Sequence, residues 1–173
     1  MSELAGGGEL AVEVREGSEV VGHLLGADTV QRLSPVEALY LLYKHQDSFS
    51  VFDEEGNELD FVRFASIVSK VDPHLWSVFE VYLDLRRRGR VAVAGPRRYT
   101  LLVKRRKTDK RYTFYILALE EGRPIKIDLL DAFTEEAQKN KWIPVVAIVD
   151  RYGDVTYYEV SRFRLEPVQR SER

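Results

Sequence analysis

Three histidines, no cysteine and a concentrated run of basic residues bound the chemistry open to this 173-residue chain. Without cysteine there is no thiolate nucleophile, no disulfide and no zinc ribbon. His23, His45 and His74 all precede residue 75, so the last 99 residues hold no imidazole. A Ser-His-Asp triad would have to take its histidine from the amino-terminal half. No lysine is preceded two positions earlier by Asp or Glu, which removes the acid-x-lysine strand motif of metal-dependent nucleases. No His, Asp and Glu group has a metal-ligand spacing, and neither a phosphate-binding loop nor a dinucleotide fingerprint occurs. Asp53-Glu54-Glu55 and Glu120-Glu121 stand beside glycines and read as solvated turn acids. The expectation is a chain that uses no metal and no organic cofactor.

Charge is the positive signal. Residues 1–85 carry 5 basic and 16 acidic side chains, whereas residues 86–111 carry 12 basic and one acidic, a balance of +11. Such a belt is either a solvated strand face or the electrostatic footprint of a polyanion site. Aromatics interleave with the cations in Arg97-Arg98-Tyr99 and Arg111-Tyr112-Thr113-Phe114-Tyr115, a composition suited to phosphate pairing and base stacking. Arg97, Arg98, Arg105 and Arg106 are the candidate RNA contacts. Arg86, Arg87 and Arg88 have a second reading as dipole partners at a helix C-terminus.

The elements that position these residues follow from local signals. Apolar residues at 45% and charged residues at 31% make an ordinary globular composition, with no run long enough for a membrane helix. The start MSELAGGGEL lacks a basic and apolar leader, so a cytoplasmic protein is expected. Glu9–Arg15 and Glu19–Leu25 alternate around Glu16-Gly17-Ser18 and predict a hairpin. Ser34-Pro35-Val36-Glu37 reads as a capping box opening a helix that ends near His45. Ser50–Phe52 is extended and Glu55-Gly56-Asn57 turns. Asp60 caps a second helix, and Asp72-Pro73 begins a third that Gly89 stops.

After Gly89 the period changes to two. Arg90–Ala94, Tyr99–Lys104 and Arg111–Leu119 predict strands. Asp128–Asn140 predicts an amphipathic helix with Leu129, Leu130, Phe133 and Ala137 facing in. Trp142–Val149 predicts a central strand buried on both faces, Asp150–Asp154 a turn, and Val155–Arg162 a returning strand. The class is α+β, with an amino-terminal helical and β domain over 1–88 and a mixed-sheet α/β domain over 89–173.

Specific residues then narrow the reading. Tyr82-Leu83-Asp84-Leu85-Arg86-Arg87-Arg88-Gly89-Arg90-Val91, Gly95, Val145-Val146-Ala147-Ile148-Val149-Asp150 and Gly153-Asp154-Val155-Thr156-Tyr157-Tyr158-Glu159-Val160 resemble the archaeal tRNA-splicing endonuclease family. Leu33–Leu42 and Val51-Phe52-Asp53 with Gly56 agree with its amino half, so the resemblance spans about residues 30–163. It implies a restriction-endonuclease-like carboxyl domain. Active members cut the bulge-helix-bulge of precursor tRNA without metal, leaving a 2′,3′-cyclic phosphate and a 5′-hydroxyl. A tyrosine acts as base, a histidine as acid and a lysine as electrostatic stabiliser.

Transferred residue by residue, the tyrosine position falls at Lys104, after Leu101-Leu102-Val103. The histidine position falls at Tyr112, and the lysine position near Trp142–Ile143, with Lys141 adjacent. This resembles the non-catalytic structural subunit of the heterotetrameric enzyme, working with a separate catalytic subunit on precursor tRNA. The alternatives are a self-sufficient RNA endonuclease using Tyr112, Lys104 and Lys141, and a plain RNA-binding module. In the family the turn matching Asp150-Arg151-Tyr152-Gly153-Asp154 is an acidic loop that joins two dimers. Here those residues, with Tyr157 and Tyr158 on the next strand, are the candidate subunit interface; an ordinary hairpin turn is the other reading.

Overall fold

The computed structural model describes residues 12–16, 19–23 and 33–161. Strands β1 (Val12–Glu16) and β2 (Glu19–His23) form the expected antiparallel hairpin; Gly17-Ser18, between them, lies outside the described residues. Strand β3 (Phe49–Asp53) pairs on the other side of β1 and carries the short β4 (Glu58–Leu59), so the first sheet runs β2-β1-β3-β4. Helix α1 (Pro35–Lys44) opens as predicted: Glu37 N–H donates to Ser34 Oγ, and Ser34 N–H donates to Glu37 Oε2 at 2.9 Å. Helix α2 (Phe61–Val71) is capped by Asp60, whose carboxylate accepts from Arg63 N–H at 2.7 Å.

Helix α3 (Leu75–Arg87) ends where Gly89 takes φ +72°, a conformation that glycine adopts without strain. The second sheet follows. Its strands β5 (Ala92–Ala94), β6 (Thr100–Val103), β7 (Phe114–Glu120), β8 (Ile143–Val149) and β9 (Val155–Glu159) lie side by side in chain order. All neighbours are antiparallel except β7 and β8, which are parallel and joined through helix α4 (Ile127–Asn140). The class is α+β.

Alternation along the strands sorts side chains onto two faces. Tyr115, Leu117 and Val146 face α4 and pack with Phe133 and Ala137. Leu101, Val103, Ile116, Ala118, Val145, Ala147 and Val149 face the other way, into a core shared with α1, α2 and α3. Helix α3 touches all five strands of this sheet and also α1 and α2, so one core continues across Gly89. Leu129 departs from the expected inward stripe: it is 39% exposed, in a first turn of α4 that also leaves Ile127 77% exposed. Strand β8 begins at Ile143, and Trp142 packs instead on Tyr115 with ring centroids 5.2 Å apart. No helix among the described residues is long and apolar enough to cross a membrane.

Gly95 is the tightest backbone approach. A Cβ there would lie 2.3 Å from Thr100 Oγ1 and 2.9 Å from the Thr100 carbonyl carbon, across the bond that Gly95 N–H donates to Thr100 O. Gly95→Ala should therefore lower stability by about 1–3 kcal/mol through forced displacement of β6. Gly122 takes φ +75° but has open space, so Gly122→Ala should cost less, about 1 kcal/mol. Urea unfolding of both variants checks the order; an equal loss would show that the Gly95 contact relaxes freely.

Candidate functional site

Strand register brings the three family positions together. Val103, Phe114 and Ile143 form one row across β6, β7 and β8. One step beyond, Thr113 N–H donates to Val103 O at 2.9 Å and Ile143 N–H donates to Thr113 O at 2.8 Å. Lys104, Tyr112 and Ile143 consequently share one end of the sheet. Lys104 Nζ lies 5.5 Å from the centroid of the Tyr112 ring, a cation–π contact between two half-buried side chains. Ile143 packs against the main core. Lys141 is the exposed C-cap of α4 in the left-handed region, φ +58°, not a strand residue.

This end offers an ammonium and a phenol but no imidazole among the described residues. His45 caps α1 at its C-terminus and rests on Tyr40 and Phe49. His74 lies against Tyr99, which precedes β6, at the far end of the strand from Lys104. Five residues of extended chain separate Tyr99 from Lys104 by about 16 Å. No group of three or more His, Asp or Glu among the described residues is placed to hold a metal ion.

The basic belt divides between the two ends of the sheet. Lys104, Arg105 and Arg106 follow β6 at the Tyr112 end, where Arg90 donates to Arg105 O and the Arg105 guanidinium lies 5.7 Å from the Phe114 ring. Arg97 and Arg98 precede β6 at the opposite end. Arg97 Nε donates to Glu136 Oε2 at 2.5 Å, and Tyr115 O–H donates to the same oxygen at 2.8 Å. Burial pushes the Tyr115 phenol up to about 12, so it stays a hydrogen-bond donor near neutrality. The arginines closing α3 have structural partners. Arg86 stacks 5.0 Å over Tyr40, and Arg88 Nε donates to Asp84 at 2.7 Å.

The turn from Asp150 to Asp154 sits at the end that holds Arg97 and His74. Asp150 Oδ1 accepts from Tyr152 N–H at 2.8 Å and Asp154 N–H at 2.9 Å, and Gly153 takes φ +85°. The Asp150 carboxylate thus builds the turn. Asp154, Arg151 and Tyr152 project from it, and the Arg151 guanidinium lies 4.6 Å from the Tyr152 ring. On β9, Tyr158 faces solvent, while Tyr157 O–H donates to Asp84 Oδ2 at 2.7 Å. Burial pushes the Tyr157 phenol well up.

At this same end of the sheet is a cavity of about 490 Å³ whose polar lining includes His74, Ser77, Tyr99, Glu120, Arg123 and Lys126. Sequence reasoning does not single these residues out, because three separate segments supply them. The one local signal is Arg97-Arg98-Tyr99, where a tight loop leaves Tyr99 at φ +63°.

Comparison with known proteins agrees with this architecture. The family model of the tRNA intron endonuclease, catalytic C-terminal domain, matches residues 75–157. The chain is 32% identical over 136 residues to a tRNA-splicing endonuclease of Methanococcus vannielii, covering 77% of this chain and 76% of that protein. It is 30% identical over 128 residues to the tRNA-splicing endonuclease of Pyrococcus furiosus, covering 74% of each. Against a tRNA-splicing endonuclease of Methanosarcina acetivorans it is 26% identical over 74% of this chain, but 36% of that protein. The matched segment opens at α3 and closes on β9, the elements that set both ends of the sheet, and the chain belongs to the tRNA intron endonuclease family.

Proposed function

We propose that this chain is the structural, non-catalytic subunit of a heterotetrameric tRNA-splicing endonuclease, acting in the cytoplasm on precursor tRNA beside a separate catalytic subunit. The observation that carries the reading is the convergence of Lys104, Tyr112 and Ile143 where the resemblance places tyrosine, histidine and lysine. Each replacement removes a different part of the reaction. An ammonium at Lys104 cannot take the 2′-hydroxyl proton while it is charged. Tyr112 brings a phenol where the resemblance calls for an imidazole, and a phenol is by its nature a weaker acid than an imidazolium. Ile143 has no charge to offer the phosphorane.

What the chain keeps suits assembly and RNA docking. Lys104, Arg105 and Arg106 present cations at one end of the sheet, and Asp154 with Tyr152 projects at the other. The projecting turn supports a role in joining two dimers, in which a cationic cleft of another subunit would desolvate its carboxylate.

Three outcomes are expected. First, the purified chain leaves a bulge-helix-bulge substrate intact with or without magnesium, because loss of the acid alone forfeits roughly 10²–10⁴-fold of rate. Mixing with a triad-bearing homologue from the same genome restores cleavage. Metal-independent cleavage by the lone chain, abolished by Tyr112→Phe, would establish a rearranged active site instead. No cleavage in the mixture would leave an RNA-binding module.

Second, Arg105→Ala and Arg106→Ala in the assembled enzyme each reduce the logarithmic salt slope of RNA binding, by up to about one unit per lost phosphate contact. Arg97→Ala acts differently: it leaves the slope and lowers thermal stability by up to about 1 kcal/mol, because the half-exposed Arg97 is paired with Glu136. Filter binding across a salt series separates the two.

Third, Asp154→Ala combined with Asp150→Asn, which keeps the turn's acceptor, leaves pairing with the catalytic subunit and splits the tetramer into dimers. The loss is about 2–5 kcal/mol for a desolvated charge pair. Sedimentation of the reconstituted complex reads it; an intact, active tetramer would make this an ordinary turn.

A further inference from the structure

The cavity at the turn end of the sheet takes no part in that proposal, and its walls have a chemistry of their own. Its volume of about 490 Å³ lies within the range of small-molecule pockets, roughly 300–1,000 Å³. Ala118, Leu119, Pro124, Ile125 and Leu129 make its apolar lining. The rings of His74 and Tyr99 meet edge to face at 5.2 Å on one side. Tyr99 holds φ +63°, a backbone state that a non-glycine residue keeps only when its surroundings impose it.

Within the lining, Ser77 is 8% exposed, and its hydroxyl has no hydrogen-bond partner among the described residues. No fully buried side-chain nitrogen or oxygen among the described residues lacks a partner, so the Ser77 oxygen keeps some exposure and a ligand atom or water can reach it. The cations lie close by. Arg123 Nε pairs with Glu120 at 2.6 Å, and its Nη1 stands 3.1 Å from His74 Nδ1, so the guanidinium is braced in place. A guanidinium offers only donors, so the imidazole nitrogen facing it accepts. Lys126 lines the same cavity with no ion-pair partner among the described residues. Two acids stand with these cations: Glu120 lines the cavity and is paired with Arg123, and Asp72 is engaged by the His74 main-chain N–H at 3.1 Å and the Tyr99 hydroxyl at 3.3 Å.

Helix ends add to this. Ser34 and Asp60 cap α1 and α2, whereas α3 and α4 begin at His74 and Lys126 without a side-chain cap. Both uncapped starts are lining residues of this one cavity. Asp72 already accepts from His74 N–H and Leu75 N–H at the start of α3, so it is chiefly the uncapped, positive start of α4 that favours an anion there.

We propose that this cavity binds a nucleoside monophosphate unit, its phosphate held by Lys126 and Arg123 and its base seated among Tyr99, Leu129 and Ile125, with Ser77 bonding the base edge. The apolar walls exclude inorganic phosphate as a full occupant, and the cations disfavour an uncharged ring. The unit has two possible sources, a free nucleotide or an unstacked residue of an RNA chain. Nothing in this assignment depends on the chain being a structural subunit.

Calorimetric titration of the full chain with 5′-adenosine monophosphate tests it. Saturable one-site binding is expected, at least tenfold weaker with adenosine or inorganic phosphate. Lys126→Ala should weaken it at least tenfold and Leu129→Trp, which fills the cavity, should abolish it, while Lys139→Ala leaves it unchanged. In a second arm a short single-stranded oligoribonucleotide is photo-crosslinked to the chain. A crosslink at Tyr99 lost in Lys126→Ala supports the site with RNA as the source, even if the mononucleotide is weak. If neither probe engages Tyr99 or responds to Lys126→Ala and Leu129→Trp in variants that melt like the native chain, the proposal is overturned. It is equally overturned if a peptide of residues 148–156 occupies the cavity and neither nucleotide probe does.

Discussion

Two parallel neighbours cannot be joined by a tight turn, so pairing β7 with β8 obliges the chain to cross the sheet through α4. That single pairing organises the carboxyl-terminal half. It sandwiches the sheet between α4 on one face and α3 on the other, burying Tyr115, Leu117 and Val146 against the first and Ile116, Ala118 and Val145 against the second. It also aligns the strand ends. The beginnings of β7 and β8 meet the end of β6, and their ends meet its beginning. Every functional assignment here depends on which end a residue occupies.

One end gathers Lys104, Tyr112 and Ile143, the positions where an active member needs a base, an acid and a cation. On the proposed reading, the strand register of a cleavage site is kept while its side chains no longer supply the groups that move the proton. Retention of that geometry without its chemistry is physically coherent, because the register is held by Thr113 and Val103 main-chain bonds and by core residues. Changing the side chains at the end of a strand leaves those bonds in place. Side-chain chemistry at this end and retention of the fold therefore have separate causes.

The other end gathers the acidic turn and the cavity, built from loops, helix starts and the last residues of β7. Asp150 shows how little freedom such a turn has: its carboxylate is consumed by two backbone donors, leaving Asp154 and Tyr152 to face outward. The charge belt, continuous along the chain, is divided by the length of β6 into two clusters with different company. Arg97 is neutralised by Glu136 beside a buried tyrosine, whereas Arg105 and Arg106 stay exposed.

Much of the local structure was legible in the residues themselves. The Ser34–Glu37 capping box, the Asp60 cap, the Gly89 stop and the period-two strands after it all form where the pattern places them, because each depends on bonds and rotations within a few residues. The absence of any histidine after His74 was likewise legible in the chain itself. Some inferences could not be made locally. Leu129 shares the apolar stripe of α4 yet stands half out of the core, since the stripe says nothing about which of its turns is covered. Tyr157 and Tyr158 look alike in sequence, and only the packing of β9 on α3 gives one of them to Asp84 and the other to solvent. Tertiary structure alone decided that Lys104, Tyr112 and Ile143 meet, that the basic belt splits, and that His74, Ser77, Tyr99, Arg123 and Lys126 enclose one cavity. Those groupings arise from strand order and helix packing between segments tens of residues apart, where contact is set by burial of the whole sheet and by no neighbouring residue.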